Sequence, residues 1–158
     1  MYDPFSYVLR SVSLYVIMEI ITAPNTKHKV SSQLSSEFKS KNMFDGNSDS
    51  CWNSDQGSPQ FVIIDFARNV HVRGLRIMFQ GGFVGQDCAV DVGETLESLS
   101  TIITLEVIED SNRTQSFLFD GCGGGGGSGR YLRLLFPSST DFYGRVTIYS
   151  LEVLGSIL

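Results

Sequence analysis

The sequence predicts an all-β fold, an antiparallel sandwich of about seven or eight short strands in one domain. Three observations carry this expectation. Apolar residues recur at every second position in several separate runs, the period of a strand with one buried face. Gly, Asn, Asp and Ser cluster between those runs, where turns are needed. No long segment keeps the helical period. With 158 residues, 42% of them hydrophobic and 18% charged, the chain is long enough for one core and reads as globular.

Taken in order, residues 1–28 read as an N-terminal extension and residues 29–156 as the domain. Val8–Ile21 is apolar but too short and too interrupted to span a bilayer. Glu19 inside that run speaks against a signal peptide cleaved near Ala23, and Met18 offers a second start. Phe61–Phe66 is a nearly continuous β-branched and aromatic run, expected as a central strand covered on both sides. In Val70–Gln80, Val70 and Val72 share one phase and Leu75, Ile77 and Phe79 the other. One extra residue at Arg73-Gly74 would form a bulge and keep all five on the core face. Gln80–Gly85 is a glycine-rich turn. Residues 93–101 are expected to hold one short helical turn. Ile103, Leu105 and Val107 alternate with polar residues, and Gln115–Phe119 is expected to pair back on them as a hairpin through Asp110-Ser111-Asn112. Leu132, Leu134 and Phe136 mark a further strand, and Arg145–Leu154 the last.

The glycine run Gly121–Gly129 is not a phosphate-binding loop. No Lys followed by Ser or Thr comes after it, and the residues that follow read as a strand. It is expected to be a flexible hairpin loop of dispensable length.

The formal net charge is -5 and no basic stripe is visible, which disfavours direct nucleic-acid binding and charge-driven adhesion to anionic membranes. The three cysteines, Cys51, Cys88 and Cys122, form neither a disulfide framework nor a zinc pair, so reduced thiols in a cytosolic or nuclear protein are expected. Asn112-Arg113-Thr114 fits a glycosylation sequon.

The run FDGNSDSCWNSDQGSPQFVIIDF (Phe44–Phe66), followed by Val70–Phe79, resembles the coagulation-factor type C domain, also called the discoidin or galactose-binding-like domain. That family shows an Asp-Gly loop, a Trp a few residues on, then Pro-Gln-aromatic and a strand ending in Asp. The resemblance implies an eight-stranded antiparallel jelly-roll β-sandwich, in agreement with the independent strand count. CWNSDQGSPQF (Cys51–Phe61), FQGGF (Phe79–Phe83) and TDFYGRVTIYSLEVLG (Thr140–Gly155) narrow it to a small member that is a lone domain. It covers roughly residues 18–156. The N-terminal segment and the polyglycine loop depart from it, and nothing functional carries over to them.

Several members of this family hold calcium beneath the Asp-Gly loop, which implies a structural calcium at Asp45, Asn47, Ser50 and Glu152. The competing reading is that Asp45 and Asn47 only cap a turn. No other cofactor is implied. In this fold the loops at one end of the barrel often bind a glycan, a lipid head group or a protein. Here those loops carry Asn53, Asp55 and Gln56, then Phe83 and Val84, then Phe142, Tyr143 and Arg145. Aromatics with one Arg suit a protein contact. The competing reading has Phe142 and Tyr143 simply closing the barrel end. Trp52, just before a core strand, is expected to be a core plug rather than a sugar platform. Asp65 is expected to bond turn amides or an Arg, with Arg73 and Arg133 as candidates. His28 and His71 have no nucleophile suggested beside them, and no pairing of carboxylates is evident, so no enzymatic activity is expected.

The reading is a non-enzymatic protein-interaction module in the nucleus or cytoplasm. The resemblance implies an adaptor that binds a nuclear-receptor-type transcription factor and holds it off its DNA. Two alternatives stay open: a calcium-stabilised subunit of a larger assembly, and a secreted carbohydrate- or lipid-binding module. The latter requires cleavage of the N-terminal segment.

Overall fold

The computed structural model describes residues 18–119 and 125–158. Among them are the strands β1 (Glu19–Ile20), β2 (Lys27–Val30), β3 (Trp52–Asn53), β4 (Gln60–Phe79), β5 (Gly85–Gln86), β6 (Cys88–Gly93), β7 (Ser100–Leu105), β8 (Thr114–Leu118), β9 (Gly127–Phe136), β10 (Ser138–Ser139) and β11 (Thr147–Ile157). Two short 3-10 turns, Ser36–Phe38 and Ser40–Phe44, precede β3.

β4 is the spine. Its first part, Gln60–Asp65, lies between β2 and β9. Asp65 accepts the amide of Ala67 at 2.8 Å, and Ala67 takes a positive φ of 60°. The strand bends there, and its second part pairs with β11 on one side and β8 on the other. One layer is therefore β2-β4-β9-β6-β7. The facing layer is β11-β4-β8, with β1 and β3 attached to β11. All resolved pairings are antiparallel. Val62, Ile64, Val90, Leu132, Leu134 and Phe136 from the first layer meet Leu75, Ile77, Phe79, Ile148, Leu151 and Val153 from the second in one core. Phe79 and Phe136 close that core edge-to-face at 5.9 Å.

The expected bulge in β4 is present. Leu154 faces Gly74 and Gly155 faces Val72, so Arg73 is the extra residue. Val70, Val72, Leu75, Ile77 and Phe79 are all buried as a result. β11 has an extra residue as well, Tyr149, which puts both Ile148 and Leu151 inward.

Several expectations are corrected. Part of the expected N-terminal extension contributes strands to the sandwich: β1 pairs with Leu154 and Gly155, and Lys27 and His28 pair with Asp65 and Ile64. Residues 1–17 lie outside the described part. Gln115–Phe119 does not pair back on Ile103–Val107. β8 pairs with β4 in the other layer, because the chain leaves β7 after Leu105 and crosses over. That crossing leaves Val107 83% exposed and buries Ile108 instead. Between β6 and β7 there is one hydrogen-bonded turn, Thr95–Ser98, with the Ser98 amide on the Thr95 carbonyl at 3.2 Å, and it does not extend into a helix. Phe61–Phe66 is covered fully on one face only, since Phe61 and Ile63 are half-buried. Of the glycine run, Gly121–Gly124 lie outside the described residues, while Gly127–Gly129 already belong to β9 and pair with Val70–Val72.

Candidate interaction surface

Three loops meet at one end of the sandwich, and buried polar groups hold them. The Trp52 ring is fully buried, and its Nε1–H donates to the Ser32 carbonyl at 2.9 Å, so it is the core plug its position implied. Ser54, also buried, donates its amide to the Val146 carbonyl at 2.9 Å, and its Oγ accepts the Val146 amide at 2.8 Å. Gln60 is 3% exposed; its amide donates to the carbonyls of Asp55 and Gly57 at 3.0 and 2.8 Å. Its Oε1 accepts from the hydroxyls of Ser31 and Ser32. The loop over 53–59 is thus tied from below at several points, in keeping with the rule that buried polar groups are paired.

The loop over 140–146 is tied to it. Gly57 donates to the Tyr143 carbonyl at 2.8 Å. Gly144 sits at φ 82°, and a Cβ there would lie 2.5 Å from the Gly57 carbonyl oxygen, so both conformation and contact demand glycine. Arg145 is fixed by Asp141 through Nε to Oδ2 at 2.8 Å and Nη2 to Oδ1 at 3.1 Å, with its own amide donating to Oδ2 at 3.0 Å. The guanidinium holds the Asp141 carboxyl below its ordinary value, and the carboxylate raises the Arg145 guanidinium. The guanidinium lies 5.1 Å from the Phe83 ring centroid and 5.7 Å from that of Tyr143. Tyr143 meets Phe142 edge-on at 5.3 Å, and Phe142 is 93% exposed.

The structure therefore brings Phe83, Phe142, Tyr143 and Arg145 into one cluster, with exposed Asp55 and Gln56 on the adjoining loop. Two residues expected there do not belong. Val84 is fully buried, with its amide on Thr140 Oγ1 at 3.0 Å, because the turn points Phe83 out and Val84 in. Asn53 is a strand residue paired with Thr147 and half-buried. Asp141 was missed, although a carboxylate four residues before an Arg is a visible signal. Gln60 was missed because nothing in its surroundings in sequence shows it turning inward.

The Asp-Gly loop is held by its own hydrogen bonds. Asp45 Oδ1 accepts the Asn47 amide at 2.8 Å and Oδ2 accepts the Ser50 hydroxyl at 2.5 Å, while Asn47 Oδ1 accepts the Asp49 amide at 3.0 Å. Glu152 and Asp45 do line one cavity of about 190 Å³. Glu152, however, is turned onto Arg76, whose Nε donates at 2.8 Å and Nη2 at 2.5 Å. Among the described residues no group of three or more His, Cys, Asp or Glu gathers within reach of one metal ion. Calcium binding by these oxygens would require Glu152 to turn away from Arg76.

Asp65 takes Arg130, not Arg73 or Arg133, at 2.8 and 3.0 Å; Arg133 is engaged by Asp91 at 2.7 Å. Both histidines have serine neighbours that the sequence did not suggest. His28 Nε2 lies 2.8 Å from Ser40 Oγ, and His71 Nδ1 lies 2.7 Å from Ser128 Oγ. The second nitrogen of each ring bonds a backbone carbonyl rather than a carboxylate, so no charge-stabilised relay is formed. Burial raises the Cys51 and Cys88 thiols, the opposite of what a nucleophile needs. Among the described residues no helix is long and apolar enough to cross a membrane.

No protein-family model matches the chain. The nuclear receptor 2C2-associated protein of Danio rerio is 38% identical over 140 residues, 87% of this chain and 96% of the relative. The chain belongs to the nuclear receptor 2C2-associated protein family. The Homo sapiens protein of that name is 36% identical over 138 residues, covering 85% of this chain and 95% of the relative. The fold of this family member also matches solved carbohydrate-binding modules. Chitosan-binding module 1 from the chitosanase/glucanase of Paenibacillus sp. IK-5 aligns at TM-score 0.72 and 18% identity, over 87% of this chain and 99% of the module. The family 32 module of C. perfringens NanJ, solved with galactose, aligns at TM-score 0.72 and 14% identity over 87% and 99%. At such identities the likeness is one of fold, and it bears out the discoidin-like antiparallel β-sandwich.

Proposed function

We propose that this chain is a non-enzymatic protein-interaction module, an adaptor of the nucleus or cytoplasm that contacts a nuclear-receptor-type transcription factor and represses it by protein contact. One observation carries the reading. Phe142, 93% exposed, leans on Tyr143, which is in turn held with Phe83 around Arg145, and exposed aromatics of this kind serve as interface anchors. The name borne by the relatives supports a receptor as the partner class. Because Asp141 neutralises Arg145, the face offers aromatic surface rather than net charge, and salt should weaken its complexes little. Arg145 positions the rings, so a charge reversal there would break the loop along with the contact.

The test is affinity capture with the tagged chain from its own cells, in parallel with Phe142→Ala. A stoichiometric partner should be lost from the variant, with affinity down by about 30-fold and thermal melting unchanged. A partner retained in full by Phe142→Ala would overturn the assignment of this face. Competition by galactose or chitotriose would transfer the face to the glycan reading, which the carbohydrate-binding structural neighbours favour.

The calcium-stabilised reading rests on Asp45 and Glu152 sharing a cavity. Binding would require Glu152 to leave Arg76. It predicts that millimolar calcium raises the melting temperature and a chelator reverses the rise. An unchanged melting temperature removes it.

A further inference from the structure

Among the described residues, one long edge strand of the sandwich has a neighbour on one side only. In the first layer, β2 is shielded by the Ser40–Phe44 turn, through the His28–Ser40 hydrogen bond at 2.8 Å and the His28–Phe44 ring contact at 4.9 Å. In the second layer, the edge of β8 is capped by Gln115, whose side-chain amide donates to the Glu109 carbonyl and accepts the Glu109 amide, each at 2.9 Å. β1 and β3 are each two residues long. β7 is different. It spans six residues, Ser100 to Leu105, and among the described residues it pairs with β6 alone. Its sequence, STIITL, contains no charge and no proline, two of the means by which proteins blunt an open edge; a bulge, a third, is confined to its first half. A bulge at Ile102 packs that side chain over Gly127 and leaves Ile103–Leu105 as regular strand. Val107, just beyond, is 83% exposed.

The segment that carries this edge is one-sided in charge, although the loop at Leu96 shares a cavity with Lys27 and Lys29 of β2. Residues 94–112 hold Glu94, Glu97, Glu106, Glu109 and Asp110 and no Lys, Arg or His, so this segment alone accounts for the net charge of -5. All five acids are exposed, and they flank β7 at both ends. A second copy paired antiparallel on β7 would bring the acidic flanks of the two copies together, which is unfavourable.

We infer that the β7 edge accepts an extended segment of a partner protein by strand addition, the segment having an uncharged β-forming centre with Lys or Arg at both flanks. Backbone hydrogen bonds along Ile103–Leu105, beyond the bulge, supply the core of the binding, and the flanking acids select the partner. This surface is separate from the Phe142 loops and does not depend on them.

The test uses the full chain and synthetic fluorescent peptides read by anisotropy. The first has a six-residue alternating Thr-Val core with two lysines at each end. The second carries glutamates in place of the lysines, and the third keeps the lysines but has proline in the core. The lysine-flanked peptide should bind at least about tenfold tighter than the glutamate-flanked one, and salt should weaken it. The proline peptide should not bind, and amide exchange should slow within β7. The exposed double variant Glu97→Lys, Glu106→Lys, which leaves Glu94, Glu109 and Asp110 against two lysines, should abolish the preference without altering melting, and Phe142→Ala should leave binding intact. Absence of binding by the lysine-flanked peptide overturns the inference. So does equal binding of the proline peptide, which would mean charge attraction alone, or loss of binding in Phe142→Ala, which would place the peptide on the loops.

Discussion

Asp65 sits where β4 changes layers, and its carboxylate is used three times. It accepts the Ala67 amide that closes the bend and two donors from Arg130. The Arg130 hydrogen bonds hold its carboxyl below the ordinary value against a smaller opposing effect of burial, with help from Lys27. A carboxyl depressed in the folded state contributes stability that is present above its unfolded pKa, about 4, and lost as pH falls through the folded value. Asp65→Asn should therefore be less stable than the parent at pH 7, and the gap should close on acidification to about pH 2, as read by urea unfolding at both pH values. A gap that persists unchanged in acid would assign its cause to geometry rather than ionisation. At this scale the sequence was partly legible. A strand-ending Asp announces a capping role, and Trp52 before a core strand announces a plug. The partner of Asp65 was not legible, because Arg73, Arg130 and Arg133 are equivalent until the register of β4 and β9 is known. Asp141 could have been found from its spacing to Arg145.

Among the elements, β4 and β11 form one of the two long pairings, nine residue pairs like that of β4 with β9, and both β4 and β11 carry an extra residue. The bulge in β4 could be read directly, since apolar positions slipped phase at Arg73-Gly74. On the facing strand, Gly155 passes so close that a Cβ would lie 2.0 Å from the His71 carbonyl oxygen. Gly155→Ala must push the two strands apart, and we expect a loss of about 1–3 kcal/mol in urea unfolding, the cost typical of overpacking. Unchanged stability would show that the bulge relaxes freely. β8 marks the limit of reading elements from pattern. Alternation identified Gln115–Phe119 as a strand, but alternation records only which face is buried. It does not record the neighbour, and the nearest strand in sequence was the wrong one.

For the molecule as a whole, the N-terminal boundary is the clearest case of tertiary context. Residues 18–28 have no periodic pattern of their own, yet β1 completes one edge beside β11 and the start of β2 covers β4. A chain beginning at Lys29 would lose β1, half of β2 and the His28 contacts with Ser40 and Phe44. It should melt at least about 5 °C below a chain beginning at Met18, since each kcal/mol lost costs a few degrees in a domain of this size. Equal melting temperatures would place the boundary near residue 29. The interaction face is also a property of the whole. Phe83 and the Phe142-Tyr143 pair are about sixty residues apart in sequence, and each is an ordinary turn aromatic taken alone. They become one surface because β4, β5 and β10 bring their loops to the same end.

The sequence by itself determined the all-β class, the inward face of nearly every long strand, the β4 bulge, the core role of Trp52 and the loops that carry the exposed aromatics. These follow from periodicity, turn chemistry and motif, which are local. Only the tertiary structure decided which strand lies beside which, that Val84 and Asn53 turn away from the surface, that Glu152 faces Arg76, and that among the described residues β7 pairs on one side only. Each of these depends on what chain folding places on the far side of a residue, and a strand's own pattern carries no information about that.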